Sequence, residues 1–520
     1  MTTTISKIRW IAIGSFALII ISACESANRA VPELTQFRTI TQTSFPTFTQ
    51  TPSLPTQTPF PTFTQTPLPS SMVLQIGNDL PRNLIRHTQP NEHMDNRIGS
   101  QWDSLGQYDF GTINTIQSEI FGMGLKRVRL SANGTSWDHI DWNESEFMID
   151  PSVDDLFTTL ADNGVTITYV LNFWDKTVDN SKNCPRVQTG EQVQRYLSDM
   201  SKLEEGKSRF QSDEEVQRYL EYVRFTVHHF KDRVKYFEIW NEPNIAVCLQ
   251  RIEADRYINL VKRTVPVIRE EYAEAIIKVG GVMPFTEPEG KDYFFRLLKS
   301  DIMPIVDAIS WHVVGNASSP DNIELQRYYY DYPSLVQEIK DTAASHGFTG
   351  EYIADEVVWC TTAQCGPDLA LPFTEAVAAK YYARSIIMNL GMDVTVGLAT
   401  DSGGSVSFPT IQNLSTIMAG ATPISLSIEI QSEANDSGSY QFMLPNGDQL
   451  VALWRDSVAV DDDPGIEAIL VLRGFSSHKV IGINPLGGFE QQLITSTDGN
   501  DIIIHGLLMR DYPIVLRVTD

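Results

Sequence analysis

Between residues 97 and 400 the chain repeats one pattern, a short β-branched run followed by a longer stretch with apolar residues at helical spacing. Strand-like runs fall at 97–102, 126–131, 165–172, 236–240, 276–281, 306–313, 352–356 and 394–399, which makes eight. Helical patterns at 114–123, 213–229, 253–270, 332–345 and 374–389 separate them. A strand followed by a crossover helix returns parallel to itself. Eight such units close naturally into a (β/α)₈ TIM barrel, so the predicted fold class is α/β. A last helix at 412–419, with Leu414, Ile417 and Met418 on one side, is expected to complete it.

The texture changes from Ile424 onward. Short alternating strands are punctuated by turns such as Pro445-Asn446-Gly447-Asp448 and Pro485-Leu486-Gly487-Gly488, the pattern of a C-terminal antiparallel β-sandwich. The expected boundaries are a barrel over 72–420 and a sandwich over 421–520, with the apolar run 72–76 as a candidate extra strand of the sandwich. No aromatic platform stands out in the sandwich, which reads as a buttress.

At the other end, Lys7 and Arg9 precede an apolar run from Trp10 to Ile21 and then Ser22-Ala23-Cys24. That layout is a secretory signal, too short and wrongly flanked for a spanning helix. It resembles a bacterial lipoprotein signal, which implies a signal peptide over 1–24, lipid on Cys24, and anchorage to the outer face of a bacterial membrane. Residues 25–71 are rich in Thr and Pro, and Phe45-Pro46-Thr47-Phe48-Thr49-Gln50-Thr51-Pro52 recurs word for word from Phe60. Such a segment is expected to be a disordered tether, whose stretch 35–71 its prolines would extend to roughly 110 Å at most at about 3.1 Å per residue. Export also permits disulfides. Setting Cys24 aside leaves Cys184, Cys248, Cys360 and Cys365. The expected pairs are Cys360 with Cys365 and Cys184 with Cys248, each stapling loops of one rim; zinc is the rival, without CxxC spacing to support it. The net charge of −25 disfavours nucleic acid and anionic lipid as partners and suits a neutral polymer.

The chemistry concentrates at two strand ends. In Tyr236-Phe237-Glu238-Ile239-Trp240-Asn241-Glu242-Pro243-Asn244 an apolar strand stops at a proline just where Glu242 projects. In Gly350-Glu351-Tyr352-Ile353-Ala354-Asp355-Glu356-Val357-Val358-Trp359 the seventh strand ends on two carboxyls. Catalytic groups of such barrels gather at the carboxyl ends of the strands, and two carboxylates facing across a barrel mouth are what glycosidic cleavage needs. Alternation along the strand predicts that Asp355 points away from Glu356, which leaves Asp355 as the competing nucleophile. Trp137, Trp174 and Trp359 are candidate stacking faces for a sugar ring, and Asn172, at the third strand's end, is a candidate lining residue.

Trp240-Asn241-Glu242-Pro243 on the fourth strand and Ile353-Ala354-Asp355-Glu356-Val357-Val358-Trp359 on the seventh resemble the retaining glycoside hydrolases of clan A, family 39 and its relatives foremost and family 5 next. The resemblance implies an enzyme acting on a carbohydrate without cofactor or metal, as a monomer, with Glu242 as general acid/base and Glu356 as nucleophile. It further implies that Asn241 bonds the sugar 2-hydroxyl, that His312 contacts the sugar or the nucleophile region, and that Arg129 orients the nucleophile, with Arg127 on the same face as its substitute. Two departures mark this chain: His312-Val313-Val314 lacks the tyrosine many relatives carry after the histidine, and Ala399-Thr400-Asp401 lacks a strand-eight tryptophan. Tyr328, Tyr329 and Tyr330 are candidates to reach in from the following loop. A glycan-binding lipoprotein without activity and a transglycosylase are the alternative readings.

Overall fold

A computed structural model of the chain describes residues 73–77, 81–85, 97–102, 117–130, 141–143, 146–149, 151–172, 210, 212–244, 251–283, 288–313, 326–359, 361, 373–399, 406–434, 436–475 and 478–519. Eight strands form a closed barrel: β1 (Ile98–Trp102), β2 (Arg127–Leu130), β3 (Thr166–Val170), β4 (Tyr236–Glu238), β5 (Ile276–Val282), β6 (Ala308–His312), β7 (Glu351–Val357) and β8 (Thr395–Ala399). Each pairs in parallel with its sequence neighbour, and β8 returns to β1. The eight expected strands are therefore the eight observed.

Around them run α1 (Pro151–Asp162), α2 (Asp213–Phe230), α3 (Ala254–Glu271), α4 (Pro288–Leu298), α5 (Gln326–Ser345), α6 (Glu375–Gly391) and α7 (Ser407–Ile417). Helix α2 shows why these segments coil. Its first turn carries Asp213, Glu214 and Glu215 against the positive helix end, and the Glu215 N–H donates to Ser212 Oγ at 3.1 Å. Val216, Tyr219, Val223, Val227 and Phe230 then recur on the buried face. Helix α7 starts five residues earlier than its periodicity suggested, and α5 extends back to Gln326 with Pro333 inside it. Proline is tolerated inside a helix when neighbouring packing replaces the lost hydrogen bond.

Two antiparallel sheets follow. One has seven strands in the order Arg82–Leu84, Phe489–Gln492, Lys479–Asn484, Ile514–Thr519, Gln449–Arg455, Ser437–Met443 and Thr422–Ile424. The other has four, Ile428–Ser432, Ile466–Leu472, Asp501–Met509 and Ser496–Asp498. The chain before the barrel belongs here as well. Arg82–Leu84 pairs with Phe489–Gln492, while the Ile76 N–H donates to the Gly506 carbonyl at 2.7 Å and Leu508 N–H to the Leu74 carbonyl at 3.0 Å. The first strand of the barrel begins at Ile98.

Helix α6 joins the two units and is buried without a break from Val377 to Leu390. Its two cations are answered by the sandwich: Lys380 Nζ lies 2.8 Å from Asp511 Oδ1, and the Arg384 guanidinium donates to the Asp511 carbonyl at 2.9 Å and to the Ser457 carbonyl at 2.6 Å. Buried charges are tolerated only when paired and hydrogen-bonded in this way. Tyr329 and Tyr330 join this seam, donating to Asp456 Oδ1 and the Asp456 carbonyl at 3.0 and 3.1 Å. They do not reach the barrel mouth, and the Tyr328 side chain lies outside the described residues. Among the described residues no helix is long and apolar enough to cross a membrane.

Candidate active site

The β4 ladder ends at Glu238, and the chain then twists sharply: Trp240 and Glu242 take φ of 67° and 46°. Left-handed backbone is costly for non-glycine residues and persists only where its surroundings hold it. Here the Glu242 N–H donates to the Gly281 carbonyl at 3.1 Å. Asn244 fastens the far side by exchanging hydrogen bonds with the Met283 backbone, the Met283 N–H reaching Asn244 Oδ1 at 3.1 Å. The result is a Glu242 carboxyl turned inward and only 2% exposed.

Strand β7 uses the same device. Glu356 has φ of 52°, and the register with β8 shifts between Ala354 and Val357. That irregularity overturns the expected alternation. Asp355 does not point away from the barrel axis: its carboxylate meets Lys278 Nζ and lies 3.8 Å from Arg129 Nε. Glu356 turns inward too, because the extra twist brings the next side chain round to the same interior.

The two glutamates meet at one ring. His312 Nδ1, at the end of β6, lies 2.9 Å from Glu242 Oε1 and 3.0 Å from Glu356 Oε2. One oxygen of each carboxyl lies within 4.8 Å of the other. The second Glu356 oxygen accepts from Arg129 Nη1 at 3.0 Å, and the Glu356 N–H donates to Gln101 Oε1 at 3.2 Å. Glu242, His312 and Glu356 are also the one donor set among the described residues spaced to grip a metal ion. Arg129 already supplies a cation beside them.

Arg129 is shared. Its Nε and Nη2 grip Glu238 at 2.7 and 2.8 Å, and Nη2 also donates to Asn241 Oδ1 at 2.6 Å. Lys278, in register with Glu238 on the adjacent strand, donates to Glu238 Oε2 at 2.7 Å. Burial pushes the Glu238 carboxyl up, but Arg129 and Lys278 outweigh burial and hold it at about 2. Neither Glu238 nor Lys278 was singled out from the sequence. The available signal was a charged residue inside each of two otherwise apolar strands, at matching register.

The remaining candidates separate. Asn172 Oδ1 accepts the Asn241 N–H at 2.9 Å, fixing the start of the turn that carries Glu242. Arg127 lies at the other end of the barrel interior, 2.8 Å from Glu351, and does not substitute for Arg129. Trp359 offers no face to a sugar. It is 2% exposed, stacks on Tyr381 at 4.5 Å, and donates its Nε1–H to Ser385 Oγ at 3.0 Å. Trp137, Trp174, Cys24, Cys184, Cys248, Cys360 and Cys365 lie outside the described residues.

No family model matches the sequence, and no curated protein is significantly similar to it. Solved structures are similar. A family 39 glycoside hydrolase from the gut symbiont Bacteroides cellulosilyticus WH2 superposes with a TM-score of 0.55 at 13% identity, over 82% of each chain. A family 30 endoxylanase from Clostridium papyrosolvens C71 gives 0.50 at 11% identity, over 84% of this chain and 97% of that one. A family 51 α-L-arabinofuranosidase from Bifidobacterium longum gives 0.50 at 11% identity, over 84% and 98%. At such identities the likeness is one of fold: a barrel with an attached β-domain, shared with glycoside hydrolases of several families.

Proposed function

We propose that the protein is a retaining β-glycosidase that hydrolyses O-glycosidic bonds of oligo- or polysaccharides by double displacement. The observation that carries this reading is the His312 Nδ1 atom within 3.0 Å of both Glu242 and Glu356. It brings the carboxyls into the range of a retaining pair, about 5–5.5 Å, and not the roughly 6.5–9.5 Å that an inverting enzyme needs for water. Arg129 against Glu356 favours its ionised form, the nucleophile. The like charge of Glu356 favours a proton on Glu242, the acid.

In the first step a Glu356 oxygen attacks C1, the C1–O glycosidic bond breaks, and the Glu242 proton passes to the leaving oxygen. A glycosyl ester on Glu356 results. In the second step the Glu242 carboxylate takes a proton from water, whose oxygen attacks C1 and releases Glu356 as carboxylate. Asn241 is positioned by Arg129 and Asn172 to bond the sugar 2-hydroxyl, a contact that strengthens as positive charge develops at the ring. No step calls for a metal or cofactor. We also propose that the enzyme works on the outer face of a bacterial membrane, held by lipid on Cys24.

A panel of aryl β-glycosides of xylose, glucose, galactose, mannose and arabinose, followed by polysaccharides, tests the reading, with the anomeric configuration of the first product read by proton NMR. Release of the β-anomer supports it. First release of the α-anomer refutes retention, and no release from any substrate leaves a glycan-binding protein.

A further inference from the structure

We propose that Lys278 is a positioning residue of this site: locked between Glu238 and Asp355, it keeps Arg129 turned toward Glu356. The inference rests on the reading of Glu356 as nucleophile. It starts from a charge balance. Beneath the Glu242–Glu356 pair lie Arg129, Lys278, Glu238 and Asp355, whose side chains are 4%, 1%, 0% and 4% exposed. Two cations face two anions, so this group is neutral by itself. Arg129 can lend Nη1 to Glu356 because Lys278 answers Asp355.

The geometry gives the lever. Arg129 Nε stands 3.8 Å from Asp355 Oδ2, while Nη1 is 3.0 Å from Glu356 Oε1. A charge-assisted hydrogen bond closes to about 2.8 Å, so Asp355 is roughly 1 Å short of taking the guanidinium for itself. Lys278 Nζ, in direct contact with Asp355, prevents that. Without the ammonium, Asp355 would be a buried carboxylate whose nearest cation is Arg129, and the rigid guanidinium cannot close on Asp355 and hold Glu356 at once. The charged and titratable groups around Glu356 are Arg129 on β2, Glu238 and Glu242 on β4 and its turn, Lys278 on β5, His312 on β6 and Asp355 on β7. Of these, Lys278 is the cation that touches neither Glu356 nor Glu242 among the described contacts, and it bears on Arg129 through the two anions that flank the guanidinium, Glu238 and Asp355. Glu238, held at about 2 by the two cations, stays a fixed anion in this arrangement at working pH.

The test compares Lys278→Met, Lys278→Arg, Asp355→Asn and the double variant Lys278→Met/Asp355→Asn, by crystal structure and by the pH profile of kcat/KM. In Lys278→Met the Arg129–Glu356 contact should open beyond hydrogen-bond reach. Its kcat should fall about tenfold or more with KM little changed, and the acid limb should move up in pH as Glu356 loses its cation. Lys278→Arg, which keeps neutrality, and the double variant, which restores it, should keep the contact and most of the activity, and Asp355→Asn alone should keep the contact. The proposal is overturned if Lys278→Met keeps Arg129 on Glu356, or if the double variant is no better than Lys278→Met. Should Lys278→Met fail to fold, loss of the contact in Asp355→Asn or in the double variant overturns it equally. The crystallographic contact is read whether or not a glycoside is cleaved, so an inactive wild type would refute the glycosidase reading and leave this one standing or falling separately.

Discussion

Replacing Arg129 by lysine keeps the charge and removes the fork. Among the described residues the guanidinium donates to four oxygens: two of Glu238 at 2.7 and 2.8 Å, Glu356 at 3.0 Å and Asn241 at 2.6 Å. An ammonium is a point donor on a shorter reach, and Glu238, buried and already charged, is its nearest acceptor. Glu356 and Asn241 should therefore lose their contacts first. A hydrogen bond to a charged group contributes about 1.5–3 kcal/mol; if it is made in the transition state, its loss lowers kcat/KM by about ten- to a hundred-fold. Stability should fall less than for Arg129→Met, because Glu238 keeps two cations around it, whereas removing one partner of a buried pair costs about 3–5 kcal/mol. The assay is kcat/KM on the best aryl β-glycoside from the panel, beside urea denaturation of both variants. Activity of Arg129→Lys within twofold of wild type, in folded protein, would refute the idea that this guanidinium prepares the nucleophile.

Other outcomes follow from the same geometry. Glu356→Ala should abolish hydrolysis, with azide restoring turnover as a glycosyl azide of inverted configuration, whereas Glu242→Ala with azide should yield the retained one; chiral analysis of the two products checks the assignment. At Gly281, φ is 55° and a methyl group would meet Glu238 Oε1 at 2.9 Å and His312 Nε2 at 3.3 Å, so Gly281→Ala should lower both melting temperature and kcat, and unchanged values would show that the site gives way there. Lys380→Met removes the cation 2.8 Å from the fully buried Asp511 and should cost about 3–5 kcal/mol of unfolding free energy with kcat preserved in the folded fraction. Glu238, whose carboxyl drops from its ordinary 4.5 to about 2 on folding, contributes stability that is complete above the ordinary value and lost as pH falls through the folded one. Unfolding free energy should thus decline from roughly pH 5 to pH 2, and Glu238→Gln should flatten part of that slope.

The barrel was legible because its strands are apolar and β-branched while its helices carry period and caps, so local preference and packing agree. The turn that carries Glu242 was legible because a proline follows it directly. The Asp355 expectation failed because a residue's direction was inferred from regular alternation, and the site abandons regularity. Asp355 was expected to face away, yet the register shift in β7 and the left-handed φ of Glu356 bring both carboxyls inside. Backbone strain of this kind leaves no periodic trace in a sequence. Trp359, three residues after Glu356, suggested a sugar platform, but the aromatic partner that claims it, Tyr381, arrives from α6 and cannot be placed without the fold. Glu238 and Lys278 were visible as charges in apolar strands, and only their matching register makes them a pair.

The segment ahead of the barrel is stitched into the sandwich, by Leu74 and Ile76 along Asp501–Met509 and by Arg82–Leu84 along Phe489–Gln492. Gln75 adds a side-chain stitch, exchanging hydrogen bonds with the Ile494 backbone at 2.9 Å in both directions. Mechanically, any tension entering from the N-terminal side is met first by these ladders. The sandwich becomes the fixture and the barrel the load it carries, so a pull applied ahead of Leu74 would strain these strand pairs before it could spread the two carboxyls apart.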